Sequence, residues 1–350
     1  MRRSAAVLCA AALLCACAQA ENNPQPRLVK MPKSAPVKKV KREPAPLIIE
    51  VALMPEPGSA PCAEAPTIPR DYFGEVGDCL RIGATVVRVQ PLAPDSGPEG
   101  CRYDRSLANY REVVKGVLQA APAIILDVDL NGATTEVIEW ARCNGRIELC
   151  AAQGRRTLFS PAGGKAPLDA MRKIIREGGH LRLGLRESRA WPYKGKPVNL
   201  DYLRQAVSIA RALNRPIATP AEARKMLGMK PLAPLYAAPS GRKVRAGEKF
   251  SLDAIAQPLP AAVKGYAMIV APDGKKYSLT KRGRIIPGVI PFISDPEGIK
   301  LLVYRTLVDT VIDPATRPGV YTIHLALIPL HSIARAETAL AVATEKVTVE

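Results

Sequence analysis

The sequence predicts an α/β domain built on a parallel sheet, followed by an all-β domain. Two observations carry this. From residue 47 to about 232, short apolar runs rich in β-branched residues alternate with amphipathic helical stretches, the signature of βα units. From residue 235 to 350 the helical period disappears, leaving period-two alternation and turn signals.

The elements follow in order. Residues 47–54 are an apolar run stopped by Pro55, a buried strand. Residues 69–83 are a helix with Tyr72, Val76, Cys79 and Leu80 on one face, and a buried free thiol is expected at Cys79. Residues 85–90 are the second strand, 107–120 a helix and 123–128 the third strand. Thr134 caps a helix over 134–141, and 157–160 form a short strand. Residues 167–177 are helical and 181–186 form a strand. Asn199 is placed to cap a helix over 200–213. Thr219-Pro220-Ala221-Glu222 is a capping box with proline at the first helical position. In the second half, 263–270 and 276–279 flank the turn Ala271-Pro272-Asp273-Gly274. Residues 320–328 alternate, and 339–349 close the chain. An immunoglobulin-like sandwich is the expected form of 235–350.

The first 20 residues have the layout of a secretory signal peptide: Arg2 and Arg3, a short apolar stretch, then Ala18-Gln19-Ala20 before a polar segment. Leu14-Cys15-Ala16-Cys17 also resembles a lipobox, which makes Cys17 a lipidation candidate and membrane attachment through it an alternative to cleavage after Ala20. Either route predicts an exported protein in a bacterial periplasm or cell envelope. Residues 21–46 hold six prolines and a net charge of +5, a tether unable to bury a core. The expected division is therefore signal peptide 1–20, linker 21–46, βα domain 47–232 and β domain 235–350.

Outside the leader there are five cysteines: Cys62, Cys79, Cys101, Cys143 and Cys150. An odd number leaves at least one free or paired between chains. Cys143 and Cys150 bracket the turn signal Asn144-Gly145 and are the first disulfide candidates, across a local hairpin. Cys62 and Cys101, both in Pro/Gly-rich stretches, are the second.

The overall charge of +18 suggests nucleic acid, but its distribution argues against that. The leader and linker hold +7 of it, the β domain holds +5, and neither folded part has a nucleic-acid-binding motif or an aromatic-basic cluster. Nucleic acid is not expected as a partner. An anionic small molecule or envelope polymer is, and a homo-oligomer fits as well.

Gly178-Gly179-His180-Leu181-Arg182-Leu183-Gly184-Leu185, the helix to Leu213 and then Ala218-Thr219-Pro220-Ala221-Glu222-Ala223-Arg224 resemble the C-terminal end of the β-keto acid cleavage enzymes, the 3-keto-5-aminohexanoate cleavage enzyme-like family. The resemblance covers 163–229 and, more weakly, 47–130. It implies a TIM-type βα barrel, here shortened or incomplete, because only five strands are legible where a barrel has eight. An open sheet edge would need cover from the Cys143–Cys150 hairpin, the β domain or a second copy. It also implies a zinc-dependent exchange of acyl groups between a β-keto acid and acetyl-CoA, breaking a carbon–carbon bond.

The family's metal is held by two histidines spaced i, i+2 on the second strand and a glutamate ending the last. The corresponding positions here are Arg88, Gln90 and Arg186, with Glu187 beside the last. A guanidinium has no lone pair for a metal, and an exported protein meets no acetyl-CoA. No cofactor is expected unless the family activity survives, in which case it is zinc. The expectation is a pseudoenzyme with a binding or structural role, and the alternative is a metal-dependent lyase or acyltransferase. Arg88, Arg182 and Arg186 are anion-binding candidates at the strand ends, unless Glu50, Asp127 and Glu187 neutralise them as a structural cluster. Arg182 and Glu187 are the candidate catalytic residues.

Overall fold

Eight consecutive residues from Leu47 to Met54 are buried, as expected of a strand covered on both faces. In this computed structural model, described for residues 44–54, 69–93, 102–150, 159–161, 167–185, 199–280, 285–288, 291–295, 299–300, 302–332 and 336–350, that run holds β1 (Ile49–Ala52). Around it the chain lays down α1 (Pro69–Ile82), β2 (Val86–Val89), α2 (Leu107–Ala120), β3 (Ile125–Val128), α3 (Thr135–Cys143) and β4 (Leu149–Cys150). Then come β5 (Phe159–Pro161), α4 (Pro167–Arg176), β6 (His180–Gly184), α5 (Asn199–Ala212) and α6 (Pro220–Met226).

The six strands form one parallel sheet in the order β4-β3-β2-β1-β6-β5. Among the described residues nothing joins β4 to β5, so the sheet is open and no barrel is closed. Its edges are strands of two and three residues, short enough to offer little backbone for pairing with another chain.

Alternation divides the sheet's faces. Ile49, Val51, Val87, Val89, Leu126, Val128, Leu181 and Leu183 join the main apolar core with residues of α1, α2, α3 and α5. The opposite face is layered. Ile48, Val86 and Ile125 pack against Ala218 and Ala223 of the α6 segment. The next layer is charged: Glu50, Arg88, Asp127 and Arg182, all buried.

The cap predictions are met at Thr134, whose hydroxyl accepts from the Val137 amide, and at Thr219 with Glu222, where both bonds of the capping box form. The expected Cys143–Cys150 hairpin does not form. Cys143 is the last residue of α3 and a buried free thiol. Cys150 continues into β4, parallel to β3 beside Val128. Asn144-Gly145 turns a helix into a strand, and no hairpin brings the two cysteines face to face. Cys79 is a buried free thiol as expected. Burial, followed by the charge of Glu75, pushes its pKa well above the usual thiol value. Cys17, Cys62, Cys101, Arg186 and Glu187 lie outside the described residues, and no described helix is long and apolar enough to cross a membrane.

The second half is all β. Its strands are β7 (Leu235–Pro239), β8 (Lys243–Val244), β9 (Lys249–Ala256), β10 (Val263–Val270), β11 (Lys276–Leu279) and β12 (Ile285–Pro287). They are followed by β13 (Pro291–Asp295), β14 (Val303–Val311), β15 (Gly319–Pro329) and β16 (Ala341–Val349). A seven-stranded sheet runs β12-β11-β10-β15-β16-β8 with β13 paired to β10, and a three-stranded sheet runs β14-β9-β7. One apolar cluster takes Leu235, Phe250, Leu252 and Leu307 from the small sheet and Ala267, Leu325 and Val347 from the large one.

The two halves belong to one compact unit, residues 44–350. Ala238, Ile255 and Tyr304 of the small sheet enter the main core of the α/β half. Arg111 of α2 pairs with Asp253 of β9, and the Arg146 guanidinium lies 5.8 Å from the ring centroid of Tyr236.

Candidate functional site

The charged layer on the sheet face opposite the main core is built by register. Ala52 pairs with Arg88 and Arg88 with Asp127 across three parallel strands, while Glu50 pairs with Arg182 on the other side of β1. Residues in register on adjacent strands share a face, so Arg88, Asp127, Glu50 and Arg182 converge. Asp129 arrives two residues beyond Asp127 on that same face.

Arg88 donates to Asp129 at 2.7 Å and lies 3.5 Å from Asp127. Burial alone would lower its pKa, but Asp127 and Asp129 reverse that and raise it. Arg182 donates from Nε to Glu50 at 2.8 Å. All five side chains are at least nine-tenths buried. Two guanidinium groups therefore face three carboxylates.

Asp127 resolves the imbalance. Burial, then the charge of Glu50, pushes its pKa well above the ordinary value, and a side-chain hydrogen bond to Glu50 adds to this. Asp127 Oδ1 and Glu50 Oε1 are both buried without a donor. Two carboxylate oxygens cannot bond each other, but a protonated Asp127 can donate to Glu50. With that proton in place the cluster holds two positive and two negative charges.

This decides how the layer treats a metal. Position 88 presents a guanidinium seated between two aspartates, and a guanidinium coordinates nothing. Gln90, two residues on, is buried and engaged. No group of three or more His, Cys, Asp or Glu among the described residues is arranged to hold a metal. Among the described residues, Arg88, at a position that the resemblance gives to a zinc ligand, does not fit that metal.

Residues 148–229 match the family model of the β-keto acid cleavage enzymes. No curated protein matches the chain. Among solved structures it is similar to apo ObcA, with a TM-score of 0.30 and 11% identity over 47% of this chain and 65% of that one. It is similar also to ObcA in a binary complex with oxaloacetate, with a TM-score of 0.31 and 11% identity over 48% of this chain and 68% of that one. A third is the CARDB domain of PF1109 from Pyrococcus furiosus, with a TM-score of 0.21 and 15% identity over 35% of this chain and 95% of that one. The chain thus spans less than two thirds of the length of apo ObcA.

Within the stretch that matches the β-keto acid cleavage enzymes, several motif residues do structural work. His180 Nδ1 accepts a hydrogen bond from the Ile48 amide at 3.2 Å. Burial and then the Arg215 charge lower its pKa, so the ring is held neutral as an acceptor. Arg224 ties α6 to Glu148, which also takes Arg146. Gly184 sits at φ 126°, where a Cβ would stand 2.2 Å from the Ala52 carbonyl oxygen, so the strand end needs glycine. Asn199 accepts from the Leu185 amide and donates to the Leu53 carbonyl and to Glu75, joining the ends of β6 and β1 to α1.

Sequence reasoning missed Asp129, Arg146, Glu148 and Arg215. Asp129 was legible as the i+2 neighbour of Asp127 on a strand. Arg215 carries no motif signal. Asn214, in the left-handed region at φ 53°, ends α5. Arg215 then donates to the carbonyls of Ala45, Ile175, Gly178 and Gly179.

Proposed function

We propose that this chain is an exported envelope protein whose α/β half is a non-catalytic scaffold derived from the β-keto acid cleavage enzymes. One observation carries the reading: Arg88, standing where the family has a metal-binding histidine, is held by Asp127 and Asp129. Two of its guanidinium nitrogens face buried carboxylates, which favours a structural cluster over an open anion site. Arg182, held by Glu50, has the same character, which favours a structural role over a catalytic one.

In this reading the α/β half is a shortened TIM-type barrel left open, and the β half is an immunoglobulin-like sandwich. The leader directs export, the Pro/Lys-rich segment tethers the folded part, and Cys17 is either lipidated or removed with the signal peptide. The surrounding envelope supplies anionic molecules and polymers as partners but no acetyl-CoA.

The family match itself favours a second reading, a surviving metal-dependent cleavage of a β-keto acid. Elemental analysis and intact mass of the protein purified from the envelope fraction separate the two. The scaffold reading expects no stoichiometric zinc, no acyl transfer from a β-keto acid to acetyl-CoA, and a mature mass starting at Cys17 or Glu21. One zinc per chain with measurable turnover establishes the enzyme reading instead.

A further inference from the structure

The three-stranded sheet covers only part of the seven-stranded one. Where cover ends, a cavity of about 540 Å³ opens between them. Its walls among the described residues include Phe250 and Val308 from the small sheet and Ile269, Tyr277, Ile323 and Val347 from the large one. Ile269 pairs with both Tyr277 and Ile323, so these three form one cross-strand row on the face that lines the gap. Protein interiors rarely leave voids much larger than a water molecule. A cavity of this size falls within the range of small-molecule sites. Its mouth is apolar too, because Ile285 and Val311 line it while 54% and 59% exposed.

Beside the mouth stand Lys275 and Arg317. Both point their charges at one carboxylate, Asp273, at 3.3 and 3.2 Å. Asp273 also accepts from the Lys275 amide. The other rim carboxylate, Asp313, accepts from the Ala315 amide within its own turn. Lys275 and Arg317 are 66% and 72% exposed. Ion pairs this exposed contribute little to stability.

We propose that this cavity binds the hydrocarbon chain of a single-chain anionic amphiphile, with its head group at Lys275 and Arg317. If a methylene takes about the volume of a water molecule in the liquid, about 30 Å³, the cavity takes roughly 18 chain carbons, enough for a dodecyl chain. Lys275 and Arg317 share the single carboxylate Asp273, while Asp313 is held within its own turn, so the Lys275–Asp273–Arg317 group keeps one positive charge, which suits a carboxylate head group better than a cationic one. The inference rests on the β half alone and is independent of whether the α/β half is catalytic.

The test is isothermal titration of the mature full-length chain with dodecanoate, octanoate and dodecylammonium. Dodecanoate is expected to bind at about one per chain, at least tenfold more tightly than octanoate and more tightly than dodecylammonium. Thr310→Trp puts a ring into the cavity from an exposed position, and Ile285→Asp puts a charge at its mouth. Each is expected to weaken dodecanoate at least tenfold with an unchanged circular dichroism spectrum. Arg317→Ala is expected to weaken dodecanoate several-fold and leave dodecanol unaffected. No dodecanoate binding by the wild type, or undiminished binding by folded Thr310→Trp and Ile285→Asp, overturns the site. Equal binding of dodecylammonium overturns the role given to Lys275 and Arg317.

Discussion

Arg88 donates to Asp129 at 2.7 Å, with 4% and 1% of the two side chains exposed. A charge pair this deep is maintained by mutual neutralisation, and removing one member strands the other in a low-dielectric interior. Replacing Arg88 with methionine keeps much of the volume and removes the charge. The expected loss is about 3–5 kcal/mol, read as a lower urea midpoint. A variant that unfolds like the wild type would show that Arg88 is not structural.

Asp127 makes the pH dependence specific. An unfolded aspartate titrates near about 3.9, whereas Asp127 in the folded chain keeps its proton to a much higher pH. Within that window the native state binds more protons than the unfolded state, so stability falls as pH rises. Below the unfolded value both states are protonated and the penalty vanishes. Asp127→Asn mimics the protonated acid. Its melting temperature is expected to match the wild type near the unfolded pKa and to exceed it increasingly as pH rises. Parallel curves at all pH values would refute the shared proton.

Much of the α/β half was legible because its strands are apolar runs bounded by Pro, Gly or polar residues, and because Thr134 and Thr219 are recognisable caps. The small sheet was not. β7 is rich in alanine, a weak strand former. β9 carries Asp253 in a buried position. β14 is interrupted between Thr306 and Val308 by a register shift, which breaks the period-two alternation that marks a strand. The site shows the same limit. The departure of Arg88 and Gln90 from a metal-binding pair was visible in the sequence. The partner that seats Arg88 most closely, Asp129, lay just past the expected third strand, 123–128. Arg146 and Glu148 were hidden inside a segment read as a hairpin.

Arg215 is a structural keystone without a motif. One side chain satisfies four carbonyls, at the start of the described chain, at the end of α4 and in the Gly178-Gly179 turn before β6. Arg215→Ala leaves these acceptors short of donors. It is expected to cost about 3 kcal/mol and to speed amide exchange at β1 and β6, where His180 accepts from Ile48. Arg215→Lys cannot reproduce the planar fork and is expected to recover only part of the loss.

The joint between the two halves depends on Asp253, which is fully buried on β9. Its carboxylate accepts from Arg111 of α2 at 3.0 Å, from the Tyr304 hydroxyl at 3.0 Å and from the Thr306 hydroxyl at 2.8 Å. Burial, and then the Asp253 charge, pushes the Tyr304 pKa well above its usual value, so that hydroxyl remains a donor. Arg111→Ala removes the only cation among these partners and leaves a buried carboxylate with two neutral donors. The expected cost is about 3 kcal/mol, with faster amide exchange in β9 and β14 than in β1–β3. The exposed pair Lys249–Asp309, at 3.4 Å on the same two strands, is the control. Lys249→Ala is expected to change stability by less than about 0.5 kcal/mol, because water replaces what the lysine supplied. Equal effects from the two substitutions would mean that Arg111 contributes no more than a surface charge and that the halves are held together by their other contacts, among them the apolar ones of Ala238, Ile255 and Tyr304 and that of Arg146 with Tyr236.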